Sequence, residues 1–300
     1  MQNARLLNYL HLHFIVFIWG FTAVLGALIS IEAIPLVWYR MLLATGFILL
    51  FLLVRKHQMK LPWKTLGGYF IAGLLIALHW LAFFGAIKVS NVSVTLAVMS
   101  TGALFTSFLE PLYYRRKIIG YEVIFGLLVV VGLYIIFRVE TQYVTGILLA
   151  LAASLLGSMF SVINGKFAKK QSATVISFYE LLFGVLCITL YLAFAGDFDA
   201  SFFKLSSSDW MYLLILASFC TAYAFIASIH VMKWLSPYTV MLTINLEPVY
   251  GIILALLVLG DAENMSPEFY YGALIILLTV IANGIVKTRR TIKKGSDISN

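Results

Sequence analysis

Long apolar stretches alternate with short polar clusters from one end of the chain to the other. Each stretch runs to about 20 residues, enough to cross a hydrocarbon core of roughly 30 Å as a helix. Ten such stretches are readable. The first five are Leu10 to Ser30, Ile34 to Val54, Leu66 to Ile87, Val92 to Tyr114 and Tyr121 to Phe137. The second five are Val144 to Asn164, Thr174 to Ala195, Trp210 to Met232, Pro237 to Leu259 and Glu268 to Val286. The connections between them are too short to hold a soluble domain. The pattern predicts an all-α integral membrane protein with ten transmembrane helices. The first stretch begins near Arg5 and ends in small residues, as a signal peptide does. It is too long and too aromatic for an apolar signal region of about 7–15 residues, so it reads as a retained helix.

Composition agrees with the pattern. Of 300 residues, 62% are hydrophobic and 11% charged, with a mean hydropathy of +0.98, against roughly 45–50% apolar in a soluble domain. The net charge of +8 is a matter of placement. With the N-terminus inside, seventeen basic residues fall on the cytoplasmic side, among them Arg55, Lys56, Arg115 to Lys117, Lys169, Lys170 and the run from Lys287 to Lys294. Only Lys88, Arg138 and Lys204 fall on the other side, and Arg40 lies within a helix. Cytoplasmic loops retain Lys and Arg, so the expected location is a bacterial cytoplasmic membrane with both termini cytoplasmic. The charge then serves topology and contact with anionic lipid, and no nucleic-acid partner is implied. Cys187 and Cys220 lie within predicted helices and act as small hydrophobes.

The chain also repeats itself weakly. "YRMLL" at Tyr39 to Leu43 answers "YELLF" at Tyr179 to Phe183, and "KVSNVSVTLAVMSTGAL" from Lys88 can be laid on "KWLSPYTVMLTINLEPV" from Lys233. The expected division is a first repeat over residues 1–140, a second over 141–287, and a basic tail over 288–300. Five helices is an odd number, so the second repeat enters the membrane from the opposite side. Inverted repeats of this kind are common in secondary transporters, whose substrate sites lie near the midplane between the repeats.

These features resemble the drug/metabolite transporter superfamily, EamA type. The residues that carry the resemblance are Trp19–Gly20, answered by Leu156–Gly157, Tyr39–Arg40, and "EPVYGIILALLVLGD" from Glu247 to Asp261. The resemblance implies export or exchange of small metabolites such as amino acids, or of drug-like compounds, by alternating access. It departs from the pattern where Arg115, Arg116 and Lys117 stand in the place of Gly260 and Asp261. "LEP" occurs at Leu109 to Pro111 and at Leu246 to Pro248, but the repeats are offset by about 145 residues, so the two triplets are not equivalent.

Buried polar residues are the candidates for a pathway. Glu247 is eleventh in its 23-residue span, close to the midplane, where an acid marks a functional site by default. Thr243 and Gly251 lie one turn to either side of it on a continuous helix, and Pro248 is expected to open that helix. The packing alternative is a carboxyl satisfied by freed backbone groups. A carboxyl in low dielectric can load and release a proton, so Glu247 is also the expected proton carrier. Arg40 and Glu180 are repeat-related and of opposite charge, one toward the outer half of the pathway and one toward the inner, or else two charges serving assembly. His79 can relay protons or bond a substrate, or simply pack. Trp19, Tyr39, Tyr179 and Tyr223 are candidate aromatic walls. Asn245 joins the pathway set, although interhelical hydrogen bonding is the plainer reading for it. Glu110 reads as structural, within reach of Arg115 and Lys117, and Pro111 is a second candidate helix break.

No HExxH, CxxC or phosphate-binding loop occurs, which disfavours a metal-dependent enzyme or an ATP-driven pump. No cofactor is implied. Two readings stand beside the secondary transporter. One is a membrane-embedded enzyme acting on lipid-linked substrate with Glu247 or His79 as base, and the other is a passive facilitator.

Overall fold

The computed structural model describes the backbone of residues 2–117 and 119–297, and the side chains of these apart from 2–5, 122, 123, 242, 280 and 287–297. The described residues form helices and connections, with no strand among them. The first half comprises α1 (Gln2–Leu28), α2 (Ala33–Val54), α3 (Trp63–Val89), α4 (Val92–Met99), α5 (Gly102–Tyr114) and α6 (Gly120–Val139). The second comprises α7 (Val144–Phe167), α8 (Ala173–Ala195), α9 (Ser207–Ala217), α10 (Ala224–Val231), α11 (Pro237–Ile244), α12 (Glu247–Leu259) and α13 (Pro267–Asp297). Among the described residues, eight segments are long and apolar enough to span a membrane unaided, α4 joined to α5 and α9 joined to α10 among them. The shorter apolar helix Ile124–Val139 within α6, and α11 taken with α12, complete ten crossings.

These helices are apolar around most of their circumference, so their outward faces stay hydrophobic. Leu50, Leu127, Leu190 and Leu257 are all more than half exposed, as expected of side chains that meet lipid. The inward faces bury Leu, Ile, Val, Phe and Ala, and at the closest crossings glycines let backbones approach. A Cβ on Gly132 would lie 2.8 Å from the Gly272 carbonyl, and one on Gly272 would lie 2.9 Å from that of Gly132, which holds α6 against α13. The halves interleave: α3 packs on α7 and α8, α1 on α12, and α2 on α8.

Two crossings are broken at equivalent places. α4 gives way to α5 at Ser100–Thr101, and α11 to α12 at Asn245–Leu246, the same offset of about 145 residues that relates the repeats. The expected break near Pro248 therefore lies just before it, and the proline occupies the first turn of α12, where its missing N–H costs nothing. Pro111 does not break its helix. α5 runs through it to Tyr114, because the freed backbone groups of a membrane helix find local substitutes.

One end of the bundle, the basic end, carries the basic connections, with Lys56, Lys60, Arg116, Lys170 and Lys233. At the opposite end lie Asp199, Asp209, Asp261 and Glu263. The helix of α13 continues to Asp297, through most of the expected tail. The basic side chains placed there, Lys287 to Lys294, lie outside the described residues.

Candidate functional site

The two helix breaks border one cavity of about 90 Å³. Met99 closes α4 on one side of it, and Ile244 and Glu247 flank the gap between α11 and α12 on the other. Its walls are aromatic, from Trp19, Trp80, Phe83, Phe160 and Phe225. Its polar groups are Thr22, Arg40, His79, Ser161, Ser228 and Glu247. One water needs about 10–15 Å³ of such space, so the cavity has room for several.

Arg40, from the first half of α2, is 1% exposed. Its Nε donates to Thr221 Oγ1 at 2.6 Å, and its guanidinium carbon stands 3.9 Å from the centre of the Trp80 ring. That stacking is a cation–π contact, strengthened by loss of solvent. Thr221 is available because residues Ser218–Tyr223 form a π turn between α9 and α10. Its hydroxyl donates in turn to Leu216 O, and the neighbouring Cys220 carbonyl accepts from Trp19 Nε1 at 3.3 Å. π turns of this sort gather at functional sites. Arg40 Nη1 is buried with no hydrogen-bond partner. A guanidinium so fixed keeps one nitrogen whose hydrogen-bonding capacity is unused.

Glu247 begins α12 and is 8% exposed. Arg40 is its electrostatic neighbour, yet the two are not within 4 Å of each other. A basic and an acidic side chain thus line one cavity without closing on each other. Close packing of α1 seats the acid. A Cβ on Gly20 would lie 3.0 Å from Tyr250 Cβ, 3.1 Å from Gly251 N and 3.4 Å from Glu247 O.

His79 lines the same cavity from α3. Its Nδ1 lies 2.7 Å from Ala153 O, and a carbonyl can only accept, so Nδ1 carries the hydrogen and Nε2 is the acceptor of the neutral ring. Its ring packs over Gly157, where a Cβ would come within 2.9 Å. Trp19–Gly20 and Leu156–Gly157 therefore serve the site through glycines that admit Glu247 and His79.

Of the sequence candidates, Glu247, Arg40, His79 and Trp19 come together. The others do not line the cavity. Tyr39 stacks on Phe202 and donates to its carbonyl at 3.3 Å. Tyr179 donates to Met59 O at 2.7 Å near the basic end. Each is an amphipathic ring whose hydroxyl secures the loop that leads into the third helix of the other half. Tyr223, 41% exposed, pairs its hydroxyl with His11 Nε2 at 2.9 Å. Thr243 donates to Thr239 O, and Asn245 sits at the break with Nδ2 unpartnered. The expected stripe of Thr243, Glu247 and Gly251 fails because the helix stops between its members. Glu180 is wholly buried and outside the lining. Glu110 accepts from Tyr238 N at 3.1 Å and pairs with Arg116, rather than Arg115 or Lys117, at 3.3 Å.

Thr221, Ser161, Phe160 and Phe225 were not singled out from the sequence. Thr221 offered little signal, since Ser218 and Tyr223 stand beside it in the same run, and the π turn that presents it has no glycine or proline to announce it.

A model of the EamA-like transporter family matches residues 8–138 and again 144–284. An uncharacterized transporter of Clostridium kluyveri is 24% identical over 241 residues, 77% of this chain and 76% of that protein. An uncharacterized transporter of Archaeoglobus fulgidus is 26% identical over 188 residues, 61% of this chain and 58% of that protein. One solved structure has a TM-score of 0.67 at 18% identity, over 92% of this chain and 96% of its own, a likeness of fold alone. With the family match present in each half and covering nearly the whole chain, this protein belongs to the EamA-like transporter family.

Proposed function

We propose that the chain is a secondary transporter of small zwitterionic metabolites, amino acids and their close relatives, and that it exports them. The observation that carries this reading is the pair Arg40 and Glu247, which share one aromatic-lined cavity without forming an ion pair. A substrate carboxylate fits the open Nη1 of Arg40, and its ammonium fits Glu247. The aromatic walls accept an apolar side chain. Ligand pockets for larger molecules run to roughly 300–1,000 Å³, so loading a metabolite requires the two repeats, over residues 1–140 and 141–287, to move apart. Contacts between the halves are present at both ends. Ser30 N and Oγ donate to Asp209 at 2.7 Å at one end, and Tyr238 N donates to Glu110 at the other. Breaking one set at a time gives alternating access. By the distribution of basic residues, the basic end faces the cytoplasm of a bacterial cell, and the inward proton gradient is the energy source.

Cells expressing the native chain, Arg40→Gln or Glu247→Gln are compared by untargeted mass spectrometry of medium and extract. The expected result is an amino-carboxylate compound enriched in the medium with the native protein and with neither variant. Enrichment of a compound that lacks one of the two charges, unaffected by loss of the matching residue, overturns the assignment.

A further inference from the structure

A second group of buried polar side chains lies between α3, α7 and α8. Glu180 on α8 is 0% exposed, and neither carboxyl oxygen has a hydrogen-bond partner. Asn164 on α7, equally buried, has its side chain beside that carboxyl. Its Nδ2 donates to Phe160 O at 3.4 Å, and its Oδ1 has no donor. Tyr69 on α3 is the electrostatic neighbour of Glu180, and its hydroxyl is also unpartnered. Ser161, one turn before Asn164, has an unpartnered Oγ and lines the central cavity.

The cluster is short of donors. Neither carboxyl oxygen nor Asn164 Oδ1 has a donor at hydrogen-bond distance, and the neighbouring donors are the Asn164 amide and the Tyr69 hydroxyl. An ionised Glu180 would have no cation to face. Arg40 on α2 has Glu247 and Cys220 as electrostatic neighbours, and His230 on α10 has Lys233 and His11. From α3 and α7 the facing groups are Tyr69 and Asn164. An unpaired buried carboxylate is so costly that such groups neutralise instead. One proton adds a donor that the set lacks: a carboxyl O–H can turn to Asn164 Oδ1, and the unpartnered Tyr69 hydroxyl to the other carboxyl oxygen.

We propose that Glu180 is the proton-binding carboxyl of this transporter, with Asn164 and Tyr69 as its hydrogen-bond partners and Ser161 as its link to the central cavity. Binding converts the carboxylate to a carboxylic acid and changes no other bond. Toward the basic end, the Tyr69 ring stacks on Tyr179, whose hydroxyl bonds the connection between α2 and α3. The carboxyl thus sits between the cavity and that end. The repeats then divide the work: at related positions one offers a fixed cation, Arg40, and the other a titratable acid. Glu247 is left to bind substrate. The inference rests on the transport reading only for the purpose of the proton.

The test is infrared titration of the purified full-length protein in lipid nanodiscs, without substrate. A protonated-carboxyl stretch that titrates in the native protein is expected to vanish in Glu180→Gln and to persist in Glu247→Gln. In Asn164→Leu and Tyr69→Phe it is expected to change frequency, since each removes a hydrogen bond. A band that survives Glu180→Gln, or one lost in Glu247→Gln, overturns the proposal. So does thermal stabilisation by sodium at fixed pH in the native protein but not in Glu180→Gln, which makes the site one for a metal cation. If Glu180→Gln does not give monodisperse protein, an unshifted band in both Asn164→Leu and Tyr69→Phe is the overturning result. Because no substrate enters the measurement, failure of the metabolite assignment leaves this outcome readable, and the reverse holds.

Discussion

Arg40 is held by two kinds of contact that a lysine cannot reproduce. Its Nε needs the Thr221 hydroxyl, and its plane needs the Trp80 face, whereas an ammonium is a point charge without a fork. Arg40→Lys keeps the charge and is expected to weaken substrate binding at least about tenfold, or about 1.4 kcal/mol. Counterflow in proteoliposomes checks this, and unchanged affinity would reduce Arg40 to a charge alone. Thr221→Val keeps the shape and removes the hydroxyl. It leaves a buried donor unpaired, at a cost of about 1–3 kcal/mol, so both thermal stability and affinity should fall. The need for arginine in a helix was legible from the sequence. Its partners were not, because Thr221, Trp80 and Glu247 belong to three other crossings that only tertiary packing brings to it.

Among the helices, close approach at one glycine decides where the acid sits. Gly20 lies against backbone and Cβ atoms of α12, and neither can yield as a flexible side-chain tip would. Gly20→Val therefore forces α1 away from α12, with an overpacking cost of about 1–3 kcal/mol. Transport should be lost although Gly20 does not line the cavity. Gly46 in α2 has nothing within 4 Å of its would-be Cβ, so Gly46→Ala is expected to stabilise by about 0.5–1 kcal/mol. A thermal-melt comparison of the two separates packing from helix propensity. Apolar runs made the ten crossings readable, since their length is set by the bilayer. Breaks within them were only half readable. Pro248 pointed to the right region, while Pro111 pointed to a place where the helix continues. The true break at Ser100–Thr101 is fixed instead by Thr101 Oγ1, which bonds Val98 O at 2.8 Å and Ser154 Oγ at 2.9 Å.

Across the whole molecule, each half caps a broken helix of the other. Glu263, after α12, accepts from Val92 N and Ser93 N at 3.0 and 2.8 Å, at the start of α4. Glu110, on α5, accepts from Tyr238 N at the start of α11. The first lies at the opposite end and the second at the basic end, so in the alternating-access reading the two carboxylates are latches for different ends. A charge at a helix N-terminus is worth about 0.3–1 kcal/mol, and up to about 2 when partly buried. Neutralising one latch should therefore shift the balance between openings by several-fold, toward the end it held closed. The probe is Ser228→Cys in the cavity wall, in a chain whose Cys187 and Cys220 are replaced by alanine. Labelling by a membrane-impermeant thiol reagent is followed from each face. Glu263→Gln is expected to raise labelling from the opposite end, and Glu110→Gln from the basic end. If both variants open the same face, the caps are static supports and the inverted pair plays no part in gating.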